Sequence, residues 1–103
     1  MIALLVVAGA ASGAPARLLV ARAVPGVRAT LLVNVLGSLL LGLFAGLGAS
    51  TYGLLGTGFC GAFTTFSTFA VEAEALPRRV GAGYVAASLV LCLGAAALGL
   101  AVS

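Results

Sequence analysis

The sequence predicts an all-α membrane protein with four transmembrane helices. Of its 103 residues, 63% are hydrophobic and 7% are charged, which leaves too few polar side chains to cover the surface of a small soluble domain. The charged and turn-forming residues fall at three places, which divide the chain into four apolar runs. Each run is long enough for a helix of about 20 residues to cross the hydrocarbon core of a bilayer.

The four predicted helices form one domain and cover residues 2–22, 29–48, 54–75 and 80–102. The first run carries no Lys or Arg near its start, so we interpret it as a span rather than as a signal peptide. Residues 29–71 hold no charged side chain and are about twice as long as one span, so "GASTYG" at 48–53 is the expected turn. In "LPRR", Pro77 disfavours helix in the residue before it and so ends the third helix.

The third helix is expected to be broken near its middle. Gly58 and Gly61 are followed by the β-branched Thr64 and Thr65, which makes this the part of the helix with the lowest helical propensity. A break inside the membrane would free backbone carbonyls able to hold a cation.

Glycines four residues apart occur in the first two helices. The pairs are Gly9 with Gly13 and Gly42 with Gly46. This GxxxG spacing lets helix backbones approach closely where lipid supplies no hydrophobic driving force. We therefore expect close helix packing at these glycines, within or between subunits.

All five arginines fall on one side of the membrane when the chain crosses it four times. Arg17, Arg22 and Arg28 lie beside the first connection, and Arg78 and Arg79 lie beside the third. The positive-inside rule therefore predicts that these two loops are cytoplasmic and that both termini are outside. The arginines are not grouped with exposed aromatic residues, so no nucleic-acid binding is expected.

Side chains that perform catalysis are almost absent. The chain has no His, Lys or Asp, and its only acids are Glu72 and Glu74, so paired-carboxylate, triad and metal-cluster chemistry lack their ingredients. Cys60 and Cys92 lie in apolar segments without CxxC spacing, and we interpret them as small buried side chains. We expect no enzyme activity, no ATP site and no organic cofactor.

Polar side chains follow one face of two helices at i, i+4 and i+8 spacing. They are Thr30, Asn34 and Ser38 in the second helix and Tyr84, Ser88 and Cys92 in the fourth. Two interpretations remain open: the hydroxyls bond back to helix carbonyls and Asn34 joins two helices, or the faces line a route for a polar solute. Hydrogen-bond donors with no carboxylate before Glu72 favour an anion as that solute.

The run "GFCGAFTTFSTF" at 58–69 adds aromatic rings to the third helix. Phe63, Phe66 and Phe69 are three residues apart and are expected near one face, with Phe59 four residues before Phe63. The rings either pack against lipid and neighbouring helices or turn their positive edges toward a small anion.

This run, followed by Glu72, resembles the signature of the CrcB/Fluc fluoride channel family, small four-helix bacterial membrane proteins that assemble as antiparallel dual-topology dimers with two pores. "GAASGAPAR" at 9–17 resembles the family's glycine-rich first helix, "TLLVNVLGSLLLG" at 30–42 its asparagine motif, and Tyr84 with Ser88 its polar track. The resemblance implies passive export of cytoplasmic fluoride through the bacterial inner membrane, which gives fluoride resistance.

The resemblance also implies roles for individual residues. The fluoride pathway would contain Asn34, Phe66, Phe69, Thr30, Thr68, Tyr84 and Ser88, with Arg17 toward the vestibule. The backbone carbonyls of Gly61 and Thr64 would bind a structural sodium ion at the dimer centre, and Glu72 would be the family's third-helix acid. The sequence departs from the family pattern at Ala62, where a second glycine is common, and at Cys92, where some members have serine.

The arginine bias bears on the dimer, because an antiparallel homodimer requires one chain to insert in both orientations. A homodimer and a heterodimer with a paralogue of opposite orientation both remain open, and the bias favours the heterodimer. Two other functions are alternatives. One is a non-conducting structural subunit of a heterodimeric channel, and the other is a small multidrug transporter, which needs a mid-membrane acid that the first helix lacks.

Overall fold

The computed structural model describes residues 1–103 and contains four helices that are long and apolar enough to cross a membrane. They span Ile2–Ala23, Val27–Phe44, Ala49–Ala75 and Arg78–Val102, and no strand is present. The molecule measures 45 × 28 × 20 Å, and its long axis matches the roughly 40–45 Å of a bilayer with its headgroups. The predicted all-α, four-helix membrane fold is confirmed.

Three of the spans are continuous helices: α1 (Ile2–Ala23), α2 (Val27–Phe44) and α6 (Arg78–Val102). Between α1 and α2 the chain turns at Gly26, whose φ of 67° is the only positive φ in the chain and costs a glycine little. α6 begins after Pro77, and Leu76 before it is extended, with ψ 155°. This is the conformation expected of a residue that precedes proline.

The turn between the second and third spans lies earlier than predicted. α2 ends at Phe44, and Gly48 precedes α3 (Ala49–Tyr52) in an extended conformation with ψ 159°. The turn therefore uses Gly46 and Gly48, whose helical propensity is low. Residues 49–53, which were expected in the turn, are helical.

The third span is interrupted, as predicted. α3 continues into a π-helix (Gly53–Cys60) and then a single turn, α4 (Gly61–Phe63). Thr64 is extended, with ψ 161°, and the chain becomes helical again in α5 (Ser67–Ala75). Residues 64–66 form the break, which lies near the middle of the span.

α1 packs against the π-helix with very little space between the two backbones. Gly9, Gly13 and Gly58 are buried there. A Cβ on Gly58 would lie 2.6 Å from the carbonyl oxygen of Val6 and 2.9 Å from the Cα of Gly9. Contacts this close are the means by which glycine-rich helices associate in lipid. They hold the half of the third span that precedes the break.

α2 packs against α6 in the same way, at Gly42 and Gly99. A Cβ on Gly99 would lie 2.7 Å from the backbone nitrogen of Leu43. Gly46, the second glycine of the predicted pair, would have nothing within 4 Å of a Cβ. Only Gly42 of that pair therefore packs as expected, because α2 has already ended before Gly46.

Candidate functional site

Asn34 of α2 holds the break in the third span. Its Nδ2 donates a hydrogen bond to the Thr65 carbonyl (3.0 Å), and the Thr65 N–H donates to its Oδ1 (2.8 Å). Both backbone groups of Thr65 are therefore paired by one side chain. Backbone groups freed within a membrane need such partners, because the hydrocarbon core offers no water to replace them.

Two threonine hydroxyls bond to the backbone around the break. Thr64 Oγ1 donates to the Cys60 carbonyl (2.9 Å), and the Thr68 N–H donates to Thr65 Oγ1 (3.3 Å). The first bond is the back-bonding common for helical threonine, and the second satisfies a free N–H at the start of α5. Thr65 was not among the predicted site residues, although its place in the weakly helical segment was a signal for it.

A cavity of about 520 Å³, the larger cavity, lies beside the break. Its walls include six of the predicted site residues, namely Asn34, Gly61, Thr64, Phe66, Phe69 and Ser88. Ser38, Cys60, Thr65 and Cys92 also line it, and no charged side chain does. The structure thus brings polar and aromatic residues from α2, the third span and α6 around one space.

Ser88 lines the larger cavity and carries a buried, unpaired hydroxyl. The residue is 5% exposed, and its Oγ makes no hydrogen bond within the chain. An unsatisfied buried hydroxyl costs about 1–3 kcal/mol, so native structures normally pair it with water, an ion or another subunit. The Ser88 hydroxyl is therefore a buried donor at the wall of the larger cavity that still lacks a partner.

The phenylalanines form two separate pairs instead of one stripe. Phe59 and Phe63 stack before the break with ring centroids 5.5 Å apart, and Phe66 and Phe69 follow it with centroids 5.9 Å apart and planes tilted by 50°. Phe63 is buried, whereas Phe66 is 79% exposed and lines the larger cavity. The expected common face of Phe63, Phe66 and Phe69 is wrong, because the break interrupts the helical periodicity.

Tyr84 connects the Phe66–Phe69 pair to Glu72. Its ring centroid lies 5.2 Å from that of Phe69, with the planes tilted by 51°. Its hydroxyl donates a hydrogen bond to Glu72 Oε1 (3.2 Å). The third-helix acid is therefore paired within the protein, and the buried Tyr84 forms the end of a row of three aromatic rings.

A second cavity, of about 210 Å³, also reaches the break. It holds Arg17, Thr30 and Thr68, and Thr65 lines both cavities. Thr30 is buried, and Arg17 is half-buried near the end of α1. The structure therefore separates these three predicted residues from the larger cavity and places one positive charge beside a group of threonines.

The carbonyl oxygens of Gly61 and Thr64 fit the sodium ion that the resemblance implies. The N–H groups that would reach them in a continuous helix belong to Thr65 and Thr68, and both donate to side chains instead. Backbone carbonyls of an unwound helix are typical sodium ligands in membrane proteins. Both residues also line the larger cavity.

A multi-pass membrane protein whose broken helix, aromatic rings and hydrogen-bond donors surround one cavity has the features of a channel or transporter for a small solute. The family model for CrcB-like protein, Camphor Resistance (CrcB), matches residues 4–100. The chain belongs to this family, and the resemblance inferred from its motifs is confirmed.

Named relatives cover nearly the whole chain. It is 50% identical to "Fluoride-specific ion channel FluC 2" of Rhodococcus jostii, with 96% of each chain covered. It is 44% identical to "Fluoride-specific ion channel FluC 1" of Frankia casuarinae, with 97% of this chain and 94% of the relative covered. "Fluoride-specific ion channel FluC 1" of Rhodococcus jostii is 46% identical over 89% of this chain and 77% of the relative. One organism thus has two relatives of the chain.

Proposed function

We propose that the chain is a subunit of a fluoride-selective channel that exports cytoplasmic fluoride passively and so gives fluoride resistance. The names of its full-length relatives support fluoride as the transported ion, and membership of the CrcB family disfavours a small multidrug transporter. The observation that carries the proposal is the unpaired Ser88 hydroxyl in a cavity without charged side chains, beside Phe66 and Phe69. Such a cavity offers donors to an anion and no acid to a cation.

The proposed pathway follows the aromatic rings and the donors beside them. Phe66 and Phe69 carry positive ring edges, and Tyr84 extends their row. Asn34 uses one of its two amide N–H groups on Thr65, so the other remains for the anion. The second cavity, with Arg17, Thr30 and Thr68, is proposed as a vestibule in which the positive charge attracts anions.

The proposed cofactor is one structural sodium ion at the centre of a dimer. The Gly61 and Thr64 carbonyls of each chain would hold it, since both lack their helical donors. Bound there, sodium supplies a fixed positive charge beside the anion pathway and joins the two broken helices. No organic cofactor is proposed.

The proposed partner is a paralogue inserted in the opposite orientation. Four crossings place the connections at 24–26 and 76–77, and with them the arginines, at one end of the bundle. The positive-inside rule favours a single orientation in the bacterial inner membrane, with both termini outside. An antiparallel dimer then needs a second chain of opposite bias, and an organism with two relatives, such as Rhodococcus jostii, could supply such a pair.

Fluoride efflux from liposomes tests both proposals. The purified chain is reconstituted in sodium salts, alone and with a paralogue of opposite charge bias, and fluoride and chloride efflux are followed with ion-selective electrodes. We expect fluoride-selective efflux from the mixture and none from the chain alone. Efflux from the chain alone would support the channel and overturn the paralogue. No efflux from either preparation would contradict both the channel and the paralogue.

A matched pair of variants tests the aromatic pathway. Phe66→Ala removes a ring that is 79% exposed, and Leu93→Ala removes a side chain that is 70% exposed and lines neither cavity. Fluoride efflux should fall about twofold to tenfold in Phe66→Ala, because an aromatic contact is worth roughly 0.5–1.5 kcal/mol. It should be unchanged in Leu93→Ala. Equal efflux from the two variants would contradict the role of Phe66.

A further inference from the structure

Hydrogen bonding at the break explains why particular carbonyls are free. In an α-helix each N–H donates to the carbonyl four residues earlier, and the Thr64 N–H still does so, to Cys60 (3.0 Å). The next N–H, that of Thr65, would reach the Gly61 carbonyl, but it donates to Asn34 Oδ1 at 2.8 Å. The Asn34 side chain therefore removes the donor that would otherwise pair with Gly61.

The carbonyl of Thr64 loses its helical donor in a similar way. That donor is the Thr68 N–H, which bonds instead to Thr65 Oγ1 at 3.3 Å. The carbonyls of Ala62 and Phe63 also receive no helical hydrogen bond, but no side chain accepts from the Phe66 and Ser67 N–H groups that would reach them. Capture of the donor by a side chain therefore distinguishes the Gly61 and Thr64 carbonyls.

The second hydrogen bond of Asn34 sets the orientation of its amide. Nδ2 donates to the Thr65 carbonyl at 3.0 Å, which leaves Oδ1 opposite the Thr65 N–H. The reversed amide would place donor against donor and acceptor against acceptor. A carbonyl left unpaired in hydrocarbon is costly, so the Gly61 and Thr64 carbonyls, whose donors the side chains hold, need another positive partner, and a cation is such a partner.

We propose that Asn34 and Thr65 are positioning residues for the sodium site. Their side chains capture two backbone N–H groups and thereby leave the Gly61 and Thr64 carbonyls for the cation. This inference rests on the proposed function, because it requires the proposed sodium ion. It also means that Asn34 serves the cation site with one part of its amide and the anion pathway with the other.

Two pairs of variants separate capture of the N–H groups from a general effect on folding. Thr65→Val keeps the shape of the side chain but removes Oγ1, so the Thr68 N–H can return to the Thr64 carbonyl. Thr65→Ser keeps the hydroxyl. Asn34→Leu removes the acceptor for the Thr65 N–H, and Leu36→Ala, in the same helix but lining neither cavity, is its control.

The measurement is sodium binding, independent of fluoride flux. Binding of radioactive sodium to the purified assembled protein is titrated at constant ionic strength with N-methylglucamine chloride, and the sodium-dependent rise in Tm is recorded in parallel. We expect Thr65→Val and Asn34→Leu to weaken sodium binding by about tenfold to a hundredfold, as for other residues that orient metal ligands. Thr65→Ser and Leu36→Ala should bind sodium like the unchanged protein.

The possible results separate the positioning role of Asn34 and Thr65 from the proposed sodium site on which it rests. Unchanged sodium affinity in Thr65→Val and Asn34→Leu would overturn the positioning role and leave the sodium site standing. An equal loss in Leu36→Ala or Thr65→Ser would also overturn it, because the effect would not depend on the captured N–H groups. Absence of sodium binding by the unchanged protein would overturn the sodium site and this inference together. If Asn34→Leu does not assemble, the isosteric Thr65 pair decides.

Discussion

Replacing Ser88 by alanine should stabilise the protein and impair its transport at the same time. Ser88 is 5% exposed, and its Oγ has no partner within the chain. A buried unsatisfied polar group costs about 1–3 kcal/mol, so Ser88→Ala should raise the free energy of unfolding in the absence of fluoride by about 1 kcal/mol. An anion that passes through the larger cavity would lose one hydrogen bond.

The loss of transport follows from the charge of the ion. Hydrogen bonds to charged groups are worth about 1.5–3 kcal/mol, which corresponds to a roughly tenfold to hundredfold slower efflux if the bond forms at the highest barrier. The assay compares fluoride efflux from liposomes with thermal unfolding of the same preparations in fluoride-free buffer. Ser12→Ala is the control, because Ser12 Oγ donates to the Gly9 carbonyl (2.9 Å) and lines neither cavity.

Two results would contradict the prediction that Ser88→Ala raises stability and slows efflux. If Ser88→Ala lowers stability and leaves efflux unchanged, the hydroxyl has a protein partner in the assembled protein. Ser88 would then be a packing residue and would not face the ion. If Ser12→Ala slows efflux as much as Ser88→Ala does, the loss of a hydroxyl anywhere in the bundle accounts for the effect.

Substitutions at three other positions have predictable effects on stability or fluoride efflux. Gly42→Ala should lower the free energy of unfolding by about 1–3 kcal/mol, because its Cβ would overlap a carbonyl oxygen of α6. Gly46→Ala should leave the free energy of unfolding unchanged, since nothing lies within 4 Å of its Cβ. Equal thermal unfolding of the two variants would contradict the close packing of α2 against α6 at Gly42. Tyr84→Phe should lower the free energy of unfolding by about 1 kcal/mol and slow fluoride efflux, because Glu72 loses a hydrogen-bond donor. Stability and efflux equal to those of the unchanged protein would refute this prediction. Cys92→Ser should raise efflux by up to about tenfold, because a hydroxyl in the larger cavity donates more strongly than a thiol; slower efflux would exclude it.

The number of spans and the break could be predicted from the sequence because both depend on local composition. Apolar runs of sufficient length define the helices, and glycines followed by Thr64 and Thr65 mark the interruption. The turn after α2 was placed too late because "GASTYG" has the composition of a turn, whereas the chain uses Gly46 and Gly48 and begins a helix at Ala49.

Contacts between distant residues could not be predicted in this way. The π-helix and the close approach of α1 to Gly58 are two such features, because no local pattern records which helices meet. The face of Phe66 could not be extrapolated from that of Phe63, because helical periodicity ends at the break. Asn34 was expected either to join two helices or to face a route, but its two bonds to Thr65 cross 31 positions of the sequence.

The hydroxyl-rich run in this apolar chain follows from the need to break a helix inside hydrocarbon. A broken helix leaves N–H and carbonyl groups that lipid cannot pair, and an apolar side chain in the break would leave them unsatisfied. Thr65 supplies an acceptor for one such N–H, and Asn34 supplies both an acceptor and a donor across the helix interface. These side chains pair the backbone incompletely, since the Gly61 and Thr64 carbonyls keep no helical donor. The same residues that make the break tolerable in a membrane therefore also leave oxygen atoms there for a cation.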